Sequence, residues 1–398
     1  MTIGIFGPDP YIKSAYAIQA GEMAKRLKAD GYNVVILGNQ HTSSPVQWEG
    51  ITVTPYLKDP FLMDSIEYWI DEYKIDTIVY LFNFWTGEQF LKLREKKGIK
   101  YIIWTPVEGK LEYHSLTPTH HRILEGAAAV ISTSEWTQKQ LRNAGHDSVV
   151  IRSGVSEKLG LLPRYETREK LGLEKDSFIV GFVGRNHTER KLIPYVMKTY
   201  AEFLKRIKKE EREKCILYLH TNREYASRTY DLERLIGYFG LKGRVMLPKR
   251  QIAIDPLDDE QMNEIYNTFD VMLFPSMGEG QNVPLMEAMY LGIPCIVHYA
   301  HSHMELVDDT DYPQVPTITT FFPMISGMVE EEALPNLRLY TSYLHMYYRA
   351  WKQNRGTYFL LGARAAEKAK EWTWDNSYAK FREILEKVLQ PEPAPEVK

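Results

Sequence analysis

Cysteine is nearly missing from this chain: two in 398 residues, Cys215 and Cys295. Both lie in apolar, strand-like runs, which implies buried free thiols rather than a disulfide and suits a reducing compartment. No apolar run approaches the length of a membrane span, and residues 3–6 are too short for the apolar core of a signal peptide. A cytoplasmic protein is expected, with at most peripheral membrane contact. Charge of one sign is also lacking. The net charge is −3 and the sequence pI about 6.4, so no overall field draws in nucleic acid or anionic lipid. No His/Cys spacing suggests a metal site, and the Asp-Thr-Asp at 309–311 stands without supporting context. The loop after the first apolar run has no G-x-G-x-x-G, so it does not form the usual dinucleotide clamp. No internal repeat is present.

What is there is a strand–helix rhythm that runs twice. The length allows two domains, each with its own core. Residues 2–6 read as a buried strand, 14–29 as an amphipathic helix ended by Gly31, and 33–37 as a second strand. Residues 76–82, 100–104, 127–132 and 149–151 continue as strands with helices between them. Residues 156–176 mix Gly, Pro and charge without a period and read as a connection. A six-residue apolar run at 178–183 opens a second series, continued by strands at 215–220, 244–247 and 271–274. The fold class expected is α/β, with two Rossmann-like domains facing a central cleft. The boundaries are 1–155 for the first domain, 156–176 for the connection and 177–372 for the second domain. Residues 333–389 read as helical. Within them, 373–390 form a last helix, and 391–398, rich in Pro and Glu, form a disordered tail.

The most informative stretch is residues 271–297. It reads as strand, loop, helix, strand, with Pro284 at the first helical position and Gly292 as the stop. A loop at the carboxyl end of a strand and the amino end of a helix is where open α/β sheets hold anions. Two carboxylates bracket it: Glu279 on the loop, and Glu287 in the first helical turn. Carboxylates accept hydrogen bonds from sugar hydroxyls, so the combination suits a ligand with a phosphate in the middle and hydroxyls at both ends. A nucleotide-sugar has that shape. Spacing alone leaves another reading open, in which Glu287 complements the helix dipole and Glu279 is solvated.

The pattern E-G-x-x-x-P-x-x-E-A-M-x-x-G-x-P resembles the E-x7-E signature of retaining GT-B glycosyltransferases, family 4 in particular, the group of glycogen synthases and mannosyltransferases. The resemblance spans roughly residues 1–390 and is stronger in the second domain. It implies that Glu279 contacts the donor sugar and Glu287 the nucleotide ribose, with Gly280, Gln281, Asn282 and Val283 around the donor. The family usually has Gly at the position of Asn282. A Cβ there would narrow the space over the sugar, or the amide would read a hydroxyl. Gly184-Arg-Asn-His-Thr-Glu-Arg-Lys191 resembles the family segment whose Arg and Lys hold the donor diphosphate, matching Arg185 and Lys191, with Arg190 a near alternative. Guanidinium and ammonium groups suit a diphosphate that gains charge as the sugar leaves.

Further roles follow from the same resemblance. Lys249 and Arg250 fall where the family contacts the nucleotide base. Tyr11, Lys13 and Ser14 on the first loop, with Glu108 and His114 beyond the strand ending at Trp104, are the acceptor-side candidates. The function implied is transfer of a hexosyl group from a UDP-, GDP- or ADP-linked donor to a hydroxyl of a sugar, lipid or small-molecule acceptor. Anomeric configuration would be retained, with no metal and no cofactor. The rivals are a sugar-nucleotide epimerase or phosphorylase of the same fold, and a non-catalytic nucleotide-sugar-binding subunit.

Overall fold

The apolar runs that open each half become central strands of two separate sheets. In the computed structural model described here, residues 1–12, 14–38, 44–55, 65–186, 189–223, 229–250, 256–308, 310–323 and 328–390 are described. The first sheet contains β1 (Thr2–Gly7), β2 (Asn33–Gly38), β3 (Val46–Trp48), β4 (Ile51–Thr54), β5 (Ile75–Leu81), β6 (Lys100–Thr105), β7 (Ala129–Ser132) and β8 (Val149–Val150). Their order is β3-β4-β2-β1-β5-β6-β7-β8, parallel except for the edge pair β3/β4. The second sheet contains β9 (Phe178–Val183), β10 (Cys215–His220), β11 (Val245–Met246), β12 (Val271–Phe274), β13 (Cys295–His298) and β14 (Gln314–Val315). It is parallel throughout, in the order β11-β10-β9-β12-β13-β14.

Each sheet reverses its strand order at one point, between β1 and β5 in the first and between β9 and β12 in the second. A crevice opens outside the carboxyl ends of strands at such a point. The loops leaving β9 and β12 are the two that carry the basic segment and the E-x7-E pattern.

The strands are buried on both faces, which is why they read as continuous apolar runs. The last helix, Trp374–Leu389, does not pack on the sheet that precedes it. Trp374, Phe381 and Leu385 join Ile3, Ile5 and Ile36 in the core of the first sheet, and Phe381 stacks on Trp104 at 5.6 Å.

Several elements depart from the sequence reading. Residues 156–176 contain a helix, Arg164–Lys170, held by a buried arginine. Residues 332–335 are not helical. They form β16 (Glu332–Pro335), which pairs antiparallel with β15 (Thr317–Phe321), and helix resumes only at Leu337–Gln353. Strands β3 and β4 and the helix Ile66–Tyr73 were not foreseen either. All of these are short, and short elements draw their stability from tertiary packing rather than from a periodic pattern. The tail at 391–398 lies outside the described residues.

Candidate active site

The helix after β12 begins at Val283, so Pro284 is one position further in than the sequence suggested, and Glu287 lies beyond the first turn. Asn282 is the N-cap. Its backbone has φ +62° and ψ 69°, and its Oδ1 accepts from the Leu285 amide at 3.4 Å. A left-handed backbone position favours Gly first and Asn next. Local conformation therefore explains why Asn stands where the family has Gly. Its amide Nδ2 also meets His303 Nε2 at 2.7 Å. The amide is committed to the scaffold rather than turned towards a sugar, which departs from the second of the two alternatives for this position and leaves the first, a Cβ narrowing the space over the sugar.

Glu279 is buried between two cations. It forms ion pairs with Lys191 and, at 2.9 Å, with Arg190 Nη1. Burial alone would push the Glu279 carboxyl up, but the charges of Lys191 and Arg190, with His303 nearby, hold it well below the usual carboxylate range. Burial lowers the Lys191 ammonium, partly countered by Glu279. Arg190 also donates to Gly278 O at 2.7 Å and pairs through Nη2 with Glu108 at 3.2 Å. Arg190 is thus the hub of the site, with Lys191 beside it. Arg185 is exposed and forms no ion pair with a described residue. The Gly184 amide donates to His220 O at 3.1 Å, fixing the start of this loop to the end of β10.

Glu287 is set apart from that cluster. Its carboxylate accepts from the Tyr266 hydroxyl, and burial pushes its pKa up to about 7. Gln281 is buried and donates to Ser153 O at 3.4 Å. Gly280 sits where the two sheets' loops touch. A Cβ there would lie 2.2 Å from Pro106 Cβ, and the Gly280 carbonyl accepts from Thr133 Oγ1 at 3.1 Å.

Of the described acceptor-side residues, only Glu108 joins the cluster. Ser14 caps the helix Ala15–Ala29 by accepting from the Ala17 amide at 3.2 Å. Tyr11 is exposed and donates to Gln47 O. His114 is exposed on the short helix Tyr113–Ser115, with its ring edge-on to Tyr113. Lys13 lies outside the described residues. Lys249 and Arg250 are exposed on the loop after β11.

Several residues at the site escaped the sequence reading. Tyr16 bonds Asn83 Oδ1 at 2.9 Å and lies in the field of Glu108 and Arg190. His303 is buried, and burial lowers it to about 4, so it is neutral. Its Nδ1 meets His298 O at 2.8 Å. Glu330 and Glu332 reach in from the hairpin β15/β16, a segment that the sequence reading assigned no role. The acidic run 330–332 was the only available signal. Among the described residues, no group of three or more His, Cys, Asp or Glu side chains is arranged to hold a metal.

Residues 177–318 match the family model described as Glycosyl transferases group 1. The sucrose-phosphate synthase of Thermosynechococcus elongatus superposes with TM-score 0.76 at 16% identity, over 97% of this chain and 98% of that one. HepE of Anabaena, in complex with UDP and glucose, gives 0.68 at 15% identity, over 97% and 100%. The catalytic domain of starch synthase IV from Arabidopsis thaliana, bound to ADP and acarbose, gives 0.65 at 12% identity, over 97% and 99%. No curated protein matches the chain by sequence. The architecture is therefore the GT-B fold of glycosyltransferases. The residues that match the group 1 glycosyl transferase model include Arg190, Lys191 and Glu279.

Proposed function

We propose that the protein transfers a hexosyl group from a UDP-, GDP- or ADP-linked donor to an acceptor hydroxyl, with retention of anomeric configuration. The carrying observation is the placement of Arg190, Lys191 and Glu279 at the point where the second sheet reverses, above the helix start at Asn282. Arg190 and Lys191, with the exposed Arg185, would take the donor diphosphate and its growing charge as the sugar departs. Glu279 exchanges its ion pairs for the sugar hydroxyls as the diphosphate arrives. Glu287 takes the ribose. Neither carboxylate is left for a double displacement, so front-side attack is the route, with the departing phosphate assisting deprotonation of the acceptor. The cations substitute for a metal, and turnover should survive chelation. Among the described residues no helix is long and apolar enough to cross a membrane. We place the protein in the cytoplasm, where nucleotide-sugars are made available. The Gly-to-Asn difference at residue 282 has a conformational explanation and gives no ground for a non-catalytic subunit.

The test is a thermal-shift screen of UDP-, GDP- and ADP-linked sugars, followed by product analysis. Ligand held at 100 times its dissociation constant adds roughly 2.7 kcal/mol to stability. The expected product keeps the donor's anomeric configuration by NMR. An inverted product removes the retaining assignment. An epimerised donor or a free sugar phosphate replaces transferase with one of the rival activities. No stabilisation by any of the three nucleotides removes the reading altogether.

A further inference from the structure

The carboxylates around Arg190 outnumber the cations. Glu108, Glu279 and Glu332 all lie in its field, Glu330 lies beside Glu108, and Lys191 is the other cation of the cluster. Glu330 and Glu332 are 1% and 2% exposed. In each, Oε2 has no hydrogen-bond partner among the described residues. A buried carboxylate oxygen without a donor is rare in a folded protein and marks a place where a donor belongs.

The backbone explains why both point the same way. The Lys110 amide donates to Glu331 O at 2.8 Å, the Glu331 amide to Lys110 O at 3.1 Å, and the Ala333 amide to Met277 O at 2.9 Å. The segment is thus threaded between the loop after β6 and the loop after β12. In extended chain, alternate side chains share a face. Glu331 turns outward to bond Thr320, while Glu330 accepts from the Gly109 amide and Glu332 faces Gly278, where a Cβ would sit 3.2 Å from its Oε1.

We propose that Glu330 and Glu332, with Glu108, form the acceptor subsite, and that it takes an uncharged, hydroxyl-rich acceptor such as a free sugar or cyclitol and rejects a phosphorylated one. The proposal rests on the transferase reading above. Hydroxyls supply the donors that the orphaned oxygens lack. A phosphate there would lie against the Glu108 carboxylate and two further buried carboxyl groups, and once the donor diphosphate engages Arg190 and Lys191 no cation of the cluster would be left to offset its charge. Burial pushes Glu330 to about 7 and Glu332 to about 8, so near neutral pH each can also donate a proton to a sugar oxygen.

Saturation-transfer NMR decides it. UDP-saturated protein is titrated with glucose, fructose and myo-inositol, and with the phosphate monoester of each. At least one neutral member should bind about 100-fold more tightly than its phosphate. Glu330→Gln and Glu332→Gln should each raise its Kd about tenfold, as for loss of one charged hydrogen bond, while the Kd of UDP stays within twofold. Preference for the phosphates, failure of every neutral polyol to bind, or unchanged neutral-polyol affinity in both variants overturns the proposal. Should UDP itself not bind, and GDP and ADP likewise, the transferase reading has failed first, and that outcome is told apart before any polyol is added.

Discussion

Single residues set the charge balance of this site. Lys191 and Arg190 neutralise Glu279 in the structure and would neutralise a diphosphate in turn. Lys191→Ala and Arg185→Ala should each lower turnover by ~10²–10³-fold, the loss typical of one preorganised charge stabiliser. Initial rates at saturating donor check this, and near-normal rates in both folded variants would rule out the assignment. Asn282 offers a test of backbone conformation. Asn282→Gly keeps the left-handed backbone relaxed but loses the cap and the His303 contact, while Asn282→Ala loses them and adds strain at φ +62°. Denaturant unfolding should show the Ala variant less stable than the Gly variant by about 1 kcal/mol. An Ala variant at least as stable as the Gly variant would mean that strain at this position is negligible. Glu332 supplies a pH signature. Its carboxyl is pushed up to about 8 by burial, against the ordinary 4.5. Between those values the folded chain holds a proton that the unfolded chain has released, so the residue's contribution to stability falls as pH rises through that window. Glu332→Gln cannot lose that proton. The melting temperature of the variant minus that of the wild type should therefore climb from pH 5 to pH 8 and level off above. A difference that stays flat across that range would show that the carboxyl titrates normally.

At the scale of elements, the short helix Arg164–Lys170 shows how the connection becomes part of the second domain. Seven residues cannot hold a helix alone in water. Arg168 anchors it: fully buried, it donates to Thr268 O, Lys175 O and Ser177 O and pairs with Asp270 at 2.7 Å. Asp270 in turn accepts from the Ile179 amide at 2.7 Å, at the start of the central strand β9. Removing Arg168 leaves the buried Asp270 with the longer Arg164 pair at 3.3 Å and strips three carbonyls of their guanidinium donor. Arg168→Ala should cost ~3–5 kcal/mol in unfolding free energy, measured by urea titration. A loss under 1 kcal/mol would show that water or a neighbouring cation replaces the guanidinium. The strands of both sheets other than β3, β4 and β14, the E-x7-E loop and the basic loop were legible in the sequence, because buried parallel strands read as apolar runs and their loops carry Gly and Pro. The linker helix and the hairpin β15/β16 were not, because a lone buried Arg and a run of three Glu look like surface charge until their partners are known.

At the scale of the molecule, the two halves are joined by side-chain contacts. Glu305, after β13, accepts from the amides of Glu135 and Trp136 at 2.9 Å each and pairs with Arg152. Ser134 caps the helix of Glu135 and Trp136 by accepting from the Thr137 amide at 3.1 Å, and Glu305 of the second half takes the two amides before it. Glu108–Arg190 and Thr133–Gly280 bridge the same gap. Glu305→Ala should loosen this arrangement. Small-angle scattering should give a larger radius of gyration for the variant than for the wild type without ligand, and saturating nucleotide should narrow the difference. Equal radii in the absence of ligand would mean that the remaining contacts suffice to hold the halves together.

The sequence alone determined the α/β rhythm, the doubled strand series, and the loop on which Glu279 sits, since period and punctuation are local properties of the chain. It also indicated the diphosphate-type cations, through a motif of eight consecutive residues at 184–191. Only the tertiary structure decided that Arg190 is the hub, that Asn282 is a left-handed cap, and that Glu330 and Glu332 stand beside Glu108. Those facts depend on residues more than eighty positions apart meeting across a crevice, or on a backbone angle set by packing. No local pattern in the chain encodes either.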